Sequence, residues 1–474
     1  MKKFTLLSLL SLLLTAAGCS YPITLRLTNE VINPYYLGNG VEWDPYDEAL
    51  SWGSEVSESD WNTLFWRLDF MRPQYVRCMI NSPFTYYDGK GFDDERNAAN
   101  IKKLLGYCQS RDVMVVYGEY NPPTWEMKGS AEWVKASVKH LNWLVAGNGF
   151  TCIKHFVIFN EPDGNWASTN GDFDFWKKMV QAFRAEMDKY PALANVSIAG
   201  PDAVMDYSNK ASAYDALGWL NATVREVPEI GIYDMHAYPG RRYVHSGEFS
   251  KTLRTYKDAV GDKPIILGEA GFKYFSDEAD APLAQVYWDR VKGHPFTKGS
   301  DCNMLVYDYF YGLDMAKMLM DVMNAGFSGA AAWMLDDAMH SSGDSGKTED
   351  VKIWGMWNIL GREVFGDARQ EEIRPWYYTW SLMCRRFPRG SKIMRLSGEL
   401  PEGVDAVAAI LPDGTYSIAT VNYSDRDQII RLELPTGADG YMVSRFDVEG
   451  FEARKMVGTT YELPSQSFAI FAKD

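Results

Sequence analysis

The stretch FVIFNEPDGNW, residues 156–166, opens with four apolar or aromatic side chains and stops on Asn160-Glu161-Pro162. Four such residues in a row bounded by a turn signal read as a strand buried on both faces. Such a strand has no use for a carboxylate at its end unless the carboxylate has work to do, because desolvating a charge is costly. The role of Glu161 therefore depends on what the rest of the chain builds around it.

Seven further runs of strand character share this texture, and longer amphipathic stretches separate them. In order the eight are Tyr35 to Val41, Tyr75 to Ile80, Val113 to Tyr117, Ile153 to Phe159, Val196 to Ala199, Gly231 to His236, Pro264 to Leu267 and Gly329 to Trp333. Helix-like segments between them include Asp94 to Gln109, Ala131 to Ala146, Phe173 to Tyr190, Tyr214 to Val227 and Asp308 to Ala325. Strand and helix alternating eight times predict an α/β fold of the (β/α)8, or TIM barrel, type rather than a doubly wound sheet. Tyr377 to Arg386 reads as the last barrel helix, which gives the barrel residues 31–388.

From residue 389 to 474 the texture becomes strands punctuated by turn residues, with Pro412-Asp413-Gly414 as a hairpin signal. This predicts a C-terminal β-sandwich. Pro22 to Thr28 alternates like a strand yet precedes the barrel, so residues 19–30 are expected to add a strand to that sandwich.

The N-terminus has the parts of a secretory signal over residues 1–18: basic Lys2 and Lys3, then an apolar core from Phe4 to Leu14. Thr15-Ala16-Ala17-Gly18-Cys19 resembles a bacterial lipobox, which implies cleavage before Cys19 and lipid on that cysteine. The expectation is a lipoprotein on a bacterial outer membrane or cell surface, held by its lipid alone, since no later segment reads as a span. Losing Lys2 and Lys3 would take the formal charge from −15 to −17. That charge, without any basic stripe, argues against a nucleic-acid partner. The remaining cysteines, Cys78, Cys108, Cys152, Cys302 and Cys384, are odd in number and widely spaced, which suits buried thiols rather than disulfides or a zinc site. Aromatics make up 14% of the chain, enough to line a groove with rings on which sugar faces could stack.

In a barrel of this kind the chemistry lies at the C-terminal ends of the strands. Those ends carry Arg77 on the second strand, Gly118-Glu119-Tyr120 after the third and Asn160-Glu161 after the fourth. The sixth carries His236 and Tyr238, the seventh Glu269 and the eighth Trp333. On these residues the chain resembles the retaining glycoside hydrolases of clan A. The resemblance implies that Glu161 is the acid/base and Glu269 the nucleophile. It further implies that Arg77, Asn160, His236, Tyr238 and Trp333 bind substrate or hold the two carboxylates, with Asn160 reaching a sugar 2-hydroxyl. Glu42, Trp43, Tyr120, Trp125 and Trp166 are candidate subsite residues, each equally open to a packing role. The polar loop Asp336 to Lys352 reads as a lid or cleft wall, with Asp336 and Asp337 open to two readings, substrate contacts or, by preference, solvated loop acids.

The chemistry needs one carboxyl protonated and another ionised. Burial beside Pro162 is expected to favour the neutral form of Glu161, while Arg77 and the Tyr238 hydroxyl keep Glu269 charged. The expected activity is hydrolysis of an oligo- or polysaccharide by double displacement, by a monomer that needs no cofactor or metal. A glycan-binding surface lipoprotein that keeps the barrel without catalysis is the alternative. The resemblance does not single out one family: features of families 5, 30, 39 and 51 are all present, so β-glucan, mannan, xylan and arabinosyl chains stay open.

Overall fold

Eight strands hydrogen-bond in sequence order into a closed parallel barrel in the computed structural model, which describes residues 22–274, 278–293, 302–435, 437, 439–456 and 458–473. Cys19 and the signal segment lie outside the described residues. After an N-terminal strand β1 (Ile23–Asn33), the barrel strands are β2 (Gly40–Glu42), β3 (Tyr75–Ile80), β4 (Met114–Glu119), β5 (Ile153–Val157), β6 (Ser197–Val204), β7 (Ile230–Ala237), β8 (Ile265–Ala270) and β9 (Gly329–Ala332). Closure is made by β2, which pairs with both β3 and β9. Gly40 permits it: a Cβ there would lie 2.0 Å from the Tyr75 carbonyl oxygen.

Alternation sorts the side chains. Tyr75, Met79, Met114, Val116, Val157, Ile232 and Ile266 form a core inside the barrel, and their neighbours along each strand pack outward against the helices. Helix starts follow local chemistry. Ser57 and Asp60 close a capping box on Glu58–Met71, while Ser130, Asp172 and Asp215 cap Ala131–Asn142, Phe173–Met187 and Ala216–Glu226. The connection from Ala270 to Asn303 carries a helix of its own, Ala281–Gly293. Among the described residues no helix is long and apolar enough to cross a membrane.

The C-terminal strands are β10 (Lys392–Ser397), β11 (Val404–Ile410), β12 (Tyr416–Asn422), β13 (Gln428–Glu433), β14 (Tyr441–Asp447), β15 (Gly450–Lys455), β16 (Thr460–Leu463) and β17 (Ser467–Lys473). With β1 they form one nine-stranded sheet in the order β15-β14-β17-β12-β11-β10-β1-β13-β16. The two layers of the sandwich thus belong to a single sheet that curls over itself. Tyr461 of β16 hydrogen-bonds Thr420 of β12 across the fold at 3.0 Å, and Asn422 reaches the Leu463 carbonyl at 3.1 Å. β1 runs antiparallel to β10 and parallel to β13, joining the two ends of the chain. Period-two alternation gives this sheet two apolar faces. Tyr416 and Ile418 of β12 point into the curl, while Ala419 and Val421 pack toward the barrel. On that side Tyr309 donates to the Gln466 carbonyl at 2.7 Å, and Asn324 donates to the Ala406 carbonyl at 2.9 Å.

Candidate active site

Arg77 organises the barrel mouth. It lies fully buried on β3, facing inward between Tyr75 and Met79. One nitrogen, Nη1, donates to both oxygens of Glu42 at 2.9 and 3.0 Å and to Glu269 at 2.8 Å. The other, Nη2, donates to Asn160 Oδ1 at 2.7 Å and to Asp202 at 3.0 Å. Burial alone would weaken the guanidinium charge, but Asp202, Glu42 and Glu269 outweigh it and hold the group cationic.

Glu269 reaches this position through a register shift. Asp234 and Met235 of β7 pair with Ile266 and Leu267 of β8, and His236 then pairs with Glu269 because one residue has been skipped. That irregularity turns Glu269 inward instead of out toward the helices. The skipped residue, Gly268, has to be glycine, because a Cβ would lie 2.3 Å from the Asp234 carboxylate. Glu269 accepts the Tyr238 hydroxyl as well as Arg77. Burial pushes its carboxyl upward, His236 and Arg77 oppose that, and Glu161 adds to it. The net shift is upward, so Arg77 and Tyr238 limit the effect of burial instead of reversing it.

His236 stands between three carboxylates. Its Nδ1 lies 2.9 Å from Glu161 and 3.5 Å from Glu269, and its Nε2 lies 3.1 Å from Asp202. Burial would keep the ring neutral, but Glu269 and Asp202 outweigh it and raise its pKa well above the usual value. Asp202 in turn is held down at about 2 despite its burial, chiefly by Arg77 and His236. Burial and the neighbouring Asp202 push Asp234, one layer deeper, up to about 8. By spacing, Glu161, His236 and Glu269 could hold a cation, as could Asp202, Asp234 and His236. As an imidazolium donating from both nitrogens, His236 is itself the cation at the centre of these groups.

Glu161 follows β5 in a left-handed backbone conformation, φ 47°, which a non-glycine residue seldom adopts and which is typical of functional turns. Its carboxylate is half-buried and accepts the Trp166 indole N–H at 2.6 Å in addition to the His236 bond. The apolar setting expected from Pro162 is therefore replaced by two N–H donors. Oxygens of Glu161 and Glu269 lie within 4.8 Å of one another. With Asn160 Oδ1 accepting from Arg77, the amide nitrogen is the group it has left for a ligand.

Asn160, Glu161, Tyr238 and Glu269 line a cleft of about 700 Å³, while Arg77 and His236, both expected to bind substrate, are fully buried behind them and hold the carboxylates instead. Trp166 and Tyr207 wall the Glu161 end, their rings 4.4 Å apart. Trp333, His340, Lys352 and Trp354 also line the cleft. The Trp333 ring stacks on His340 with centroids 5.9 Å apart and planes 9° apart, and the Lys352 ammonium lies 5.4 Å from its centroid. The loop after β9 thus contributes a cleft wall through His340, Gly343, Asp344 and Lys352.

Several expected residues lie elsewhere. Trp43 faces the helices, fully buried against Trp61, Phe65 and Tyr107, because alternation along β2 sends Glu42 inward and Trp43 out. Glu42 is also fully buried; it holds Arg77 and the Tyr120 hydroxyl and does not line the cleft. Trp125 sits 54% exposed on a short turn outside the cleft lining. Glu119 anchors Ser82, Tyr86 and Trp133 beneath the surface. Asp336 and Asp337 are buried rather than solvated: Asp336 accepts from the Trp357 indole at 2.8 Å and the Ile359 amide at 3.0 Å, and Asp337 pairs with Arg374. Asp202 and His340 are central residues that the sequence reading passed over. Gly200-Pro201 reads as a strand breaker, yet β6 continues through it with a bulge before Ala203 and delivers Asp202 to the mouth.

No protein-family model matches the chain, and no curated protein matches it by sequence. Solved structures do match. A GH30 endoxylanase from Clostridium papyrosolvens C71 superposes with a TM-score of 0.59 at 14% identity, covering 96% of this chain and 100% of that one. A GH39 β-xylosidase from Caulobacter crescentus gives 0.59 at 12% identity over 96% and 100%. A conserved exported protein from Bacteroides fragilis gives 0.64 at 11% identity over 95% and 100%. The chain therefore has the (β/α)8 fold of the clan A glycoside hydrolases, barrel and appended sheet together.

Proposed function

We propose that the protein is a retaining glycoside hydrolase in which Glu269 is the nucleophile and Glu161 the acid/base. The observation that carries this reading is the approach of the two carboxylates to within 4.8 Å, from the ends of the fourth and seventh barrel strands. Retaining enzymes hold their carboxyl groups ~5–5.5 Å apart, whereas inverting ones leave ~6.5–9.5 Å for a water.

In the first step a Glu269 oxygen attacks the anomeric carbon as Glu161 gives its proton to the departing glycosidic oxygen. The products are a glycosyl ester on Glu269 and a free leaving-group alcohol. In the second step ionised Glu161 takes a proton from water, whose oxygen attacks the same carbon and releases Glu269. His236 between the two keeps them at a fixed separation, and the Asn160 amide faces the 2-hydroxyl, a contact that strengthens in the transition state.

The structural neighbours include an endoxylanase, a β-xylosidase and an endo-β1,6-glucanase, which supports a β-linked neutral glycan of xylose or glucose as substrate. We further propose that Cys19 carries the lipid of a surface lipoprotein. Loss of membrane association in a Cys19→Ala protein checks this, and unchanged fractionation refutes it.

Glu269→Gln is expected to lower turnover of a responsive polysaccharide by at least ~10³-fold with the melting temperature little changed. Glu161→Gln should lose similar activity on polysaccharide yet keep much of its first-step rate on dinitrophenyl glycosides, whose leaving group needs no acid. Proton NMR of the first product should show the anomeric configuration of the substrate. An inverted product, or full activity in either variant, would sink the assignment. Binding without turnover by the unmodified protein would favour the glycan-binding alternative.

A further inference from the structure

A second cavity of about 600 Å³ opens between the loops after β6 and β7, and Asp206, Tyr207 and Tyr238 line both it and the catalytic cleft. Three shared wall residues make the two spaces adjoin. Of the three, Tyr207 sets the cavity beside Glu161, because it packs on Trp166, whose indole N–H donates to Glu161, while Tyr238 donates to Glu269 and packs on Trp354. Given the proposed role of Glu161 in protonating the departing oxygen, on which this inference rests, the adjoining cavity takes the leaving-group side of the substrate. We infer that this cavity is an extended leaving-group subsite for uncharged sugar units, so that the protein cleaves within glycan chains and gains from chain length.

The lining suits that ligand. Tyr207, Tyr243 and Leu217 offer rings and an apolar edge for sugar C–H faces, while exposed Asp206 and Asp215 offer acceptors for hydroxyls. Both carboxylates are tied to backbone N–H donors, Asp206 to Tyr238 at 2.5 Å and Asp215 to Gly218 at 2.7 Å, so they are held in place rather than swinging freely. Among the described residues lining this cavity there is no lysine or arginine, whereas the cleft proper has Lys273 and Lys352. Lys273 of the adjoining cleft acts on Asp206, so two carboxylates face a single ammonium, and the excess of negative charge disfavours uronate or sulfate groups and leaves acceptors for neutral hydroxyls. The volume lies within the ~300–1,000 Å³ common for ligand cavities.

Ser208, exposed on the rim of this cavity and absent from the cleft lining, provides the test. Xylo- and gluco-oligosaccharides of two to six units and an aryl monoglycoside are assayed with the parent, Ser208→Trp and Leu217→Trp. In the parent, kcat/KM should rise with length. In either tryptophan variant the ratio of hexasaccharide to aryl glycoside kcat/KM should fall by about tenfold. Calorimetry of the same ladder on Glu269→Gln protein, with and without Ser208→Trp, gives a readout that needs no turnover. Affinity should increase with length and lose that increase when the cavity is filled. Rates and affinities independent of length, or equally length-dependent after filling, overturn the subsite, as does absence of binding across the whole ladder. Hydrolysis of the aryl glycoside alone, with no gain from length, leaves the glycosidase reading standing and removes only this inference.

Discussion

Charges at the barrel mouth and charges on the curled sheet obey different rules. At the mouth Arg77, Glu42, Asp202 and Glu269 have side chains no more than 5% exposed, and each charge is held by at least one opposite partner. On the sheet Arg26 and Glu433 pair with side chains 64% and 43% exposed, and Arg395 and Glu30 are similarly open. Solvated pairs contribute little to stability and can be lost cheaply. Buried ones cost several kcal/mol of desolvation for each ion and persist only as complete networks, so their presence at the strand ends points to chemistry rather than to stability.

The largest effect should come from removing the hub. Arg77→Met leaves Glu42, Asp202 and Glu269 facing one another without their cation and should cost about 3–5 kcal/mol in urea unfolding, along with activity. A loss below about 1 kcal/mol would show the mouth to be as forgiving as the sheet. Trp43→Ala sharpens the contrast within β2 itself. Its ring fills an aromatic core behind the strand, so it should cost about 3–5 kcal/mol of stability yet leave the KM of the remaining folded protein unchanged. A raised KM at unchanged stability would return Trp43 to the cleft.

His340 gives a pH-dependent effect. Its ring, buried against Asp44, Glu48 and the Tyr120 hydroxyl, has its pKa lowered by burial and raised more strongly by Asp44 and Glu48, to about 10. A folded pKa above the unfolded value of about 6.5 means that the stabilisation is whole below that pH and is lost as pH rises through 10. The melting temperature should therefore fall between pH 7 and 10, and the fall should shrink in His340→Gln. Identical profiles in the two proteins would remove the cation from this wall. The smallest effect belongs to the sheet: Arg26→Ala should cost less than about 1 kcal/mol and less still at high salt.

Much of the mouth was legible because strands alternate and barrel chemistry collects at one rim. Those two facts bring Arg77, Asn160, Glu161, His236, Tyr238, Glu269 and Trp333 together from positions spread over more than half the chain. The misreadings have equally local causes. Trp43 is next to Glu42 in sequence, but one residue along a strand is the opposite face. Asp336 and Asp337 sit in a polar stretch, where composition suggests solvent, but the folded loop buries them under Trp357 and Arg374. Asp202 follows a glycine-proline pair that would ordinarily end a strand.

By itself the sequence determined the barrel, the appended sheet and the identity of the two facing glutamates, because periodicity, turn chemistry and strand ends are encoded by near neighbours. Only the tertiary structure decided how those glutamates are held. The skipped Gly268 that turns Glu269 inward, the bulge that brings Asp202 under Arg77, and the imidazolium of His236 between three carboxylates all depend on contacts across strands. Such contacts set register and electrostatics, and neither is written in any single stretch of chain.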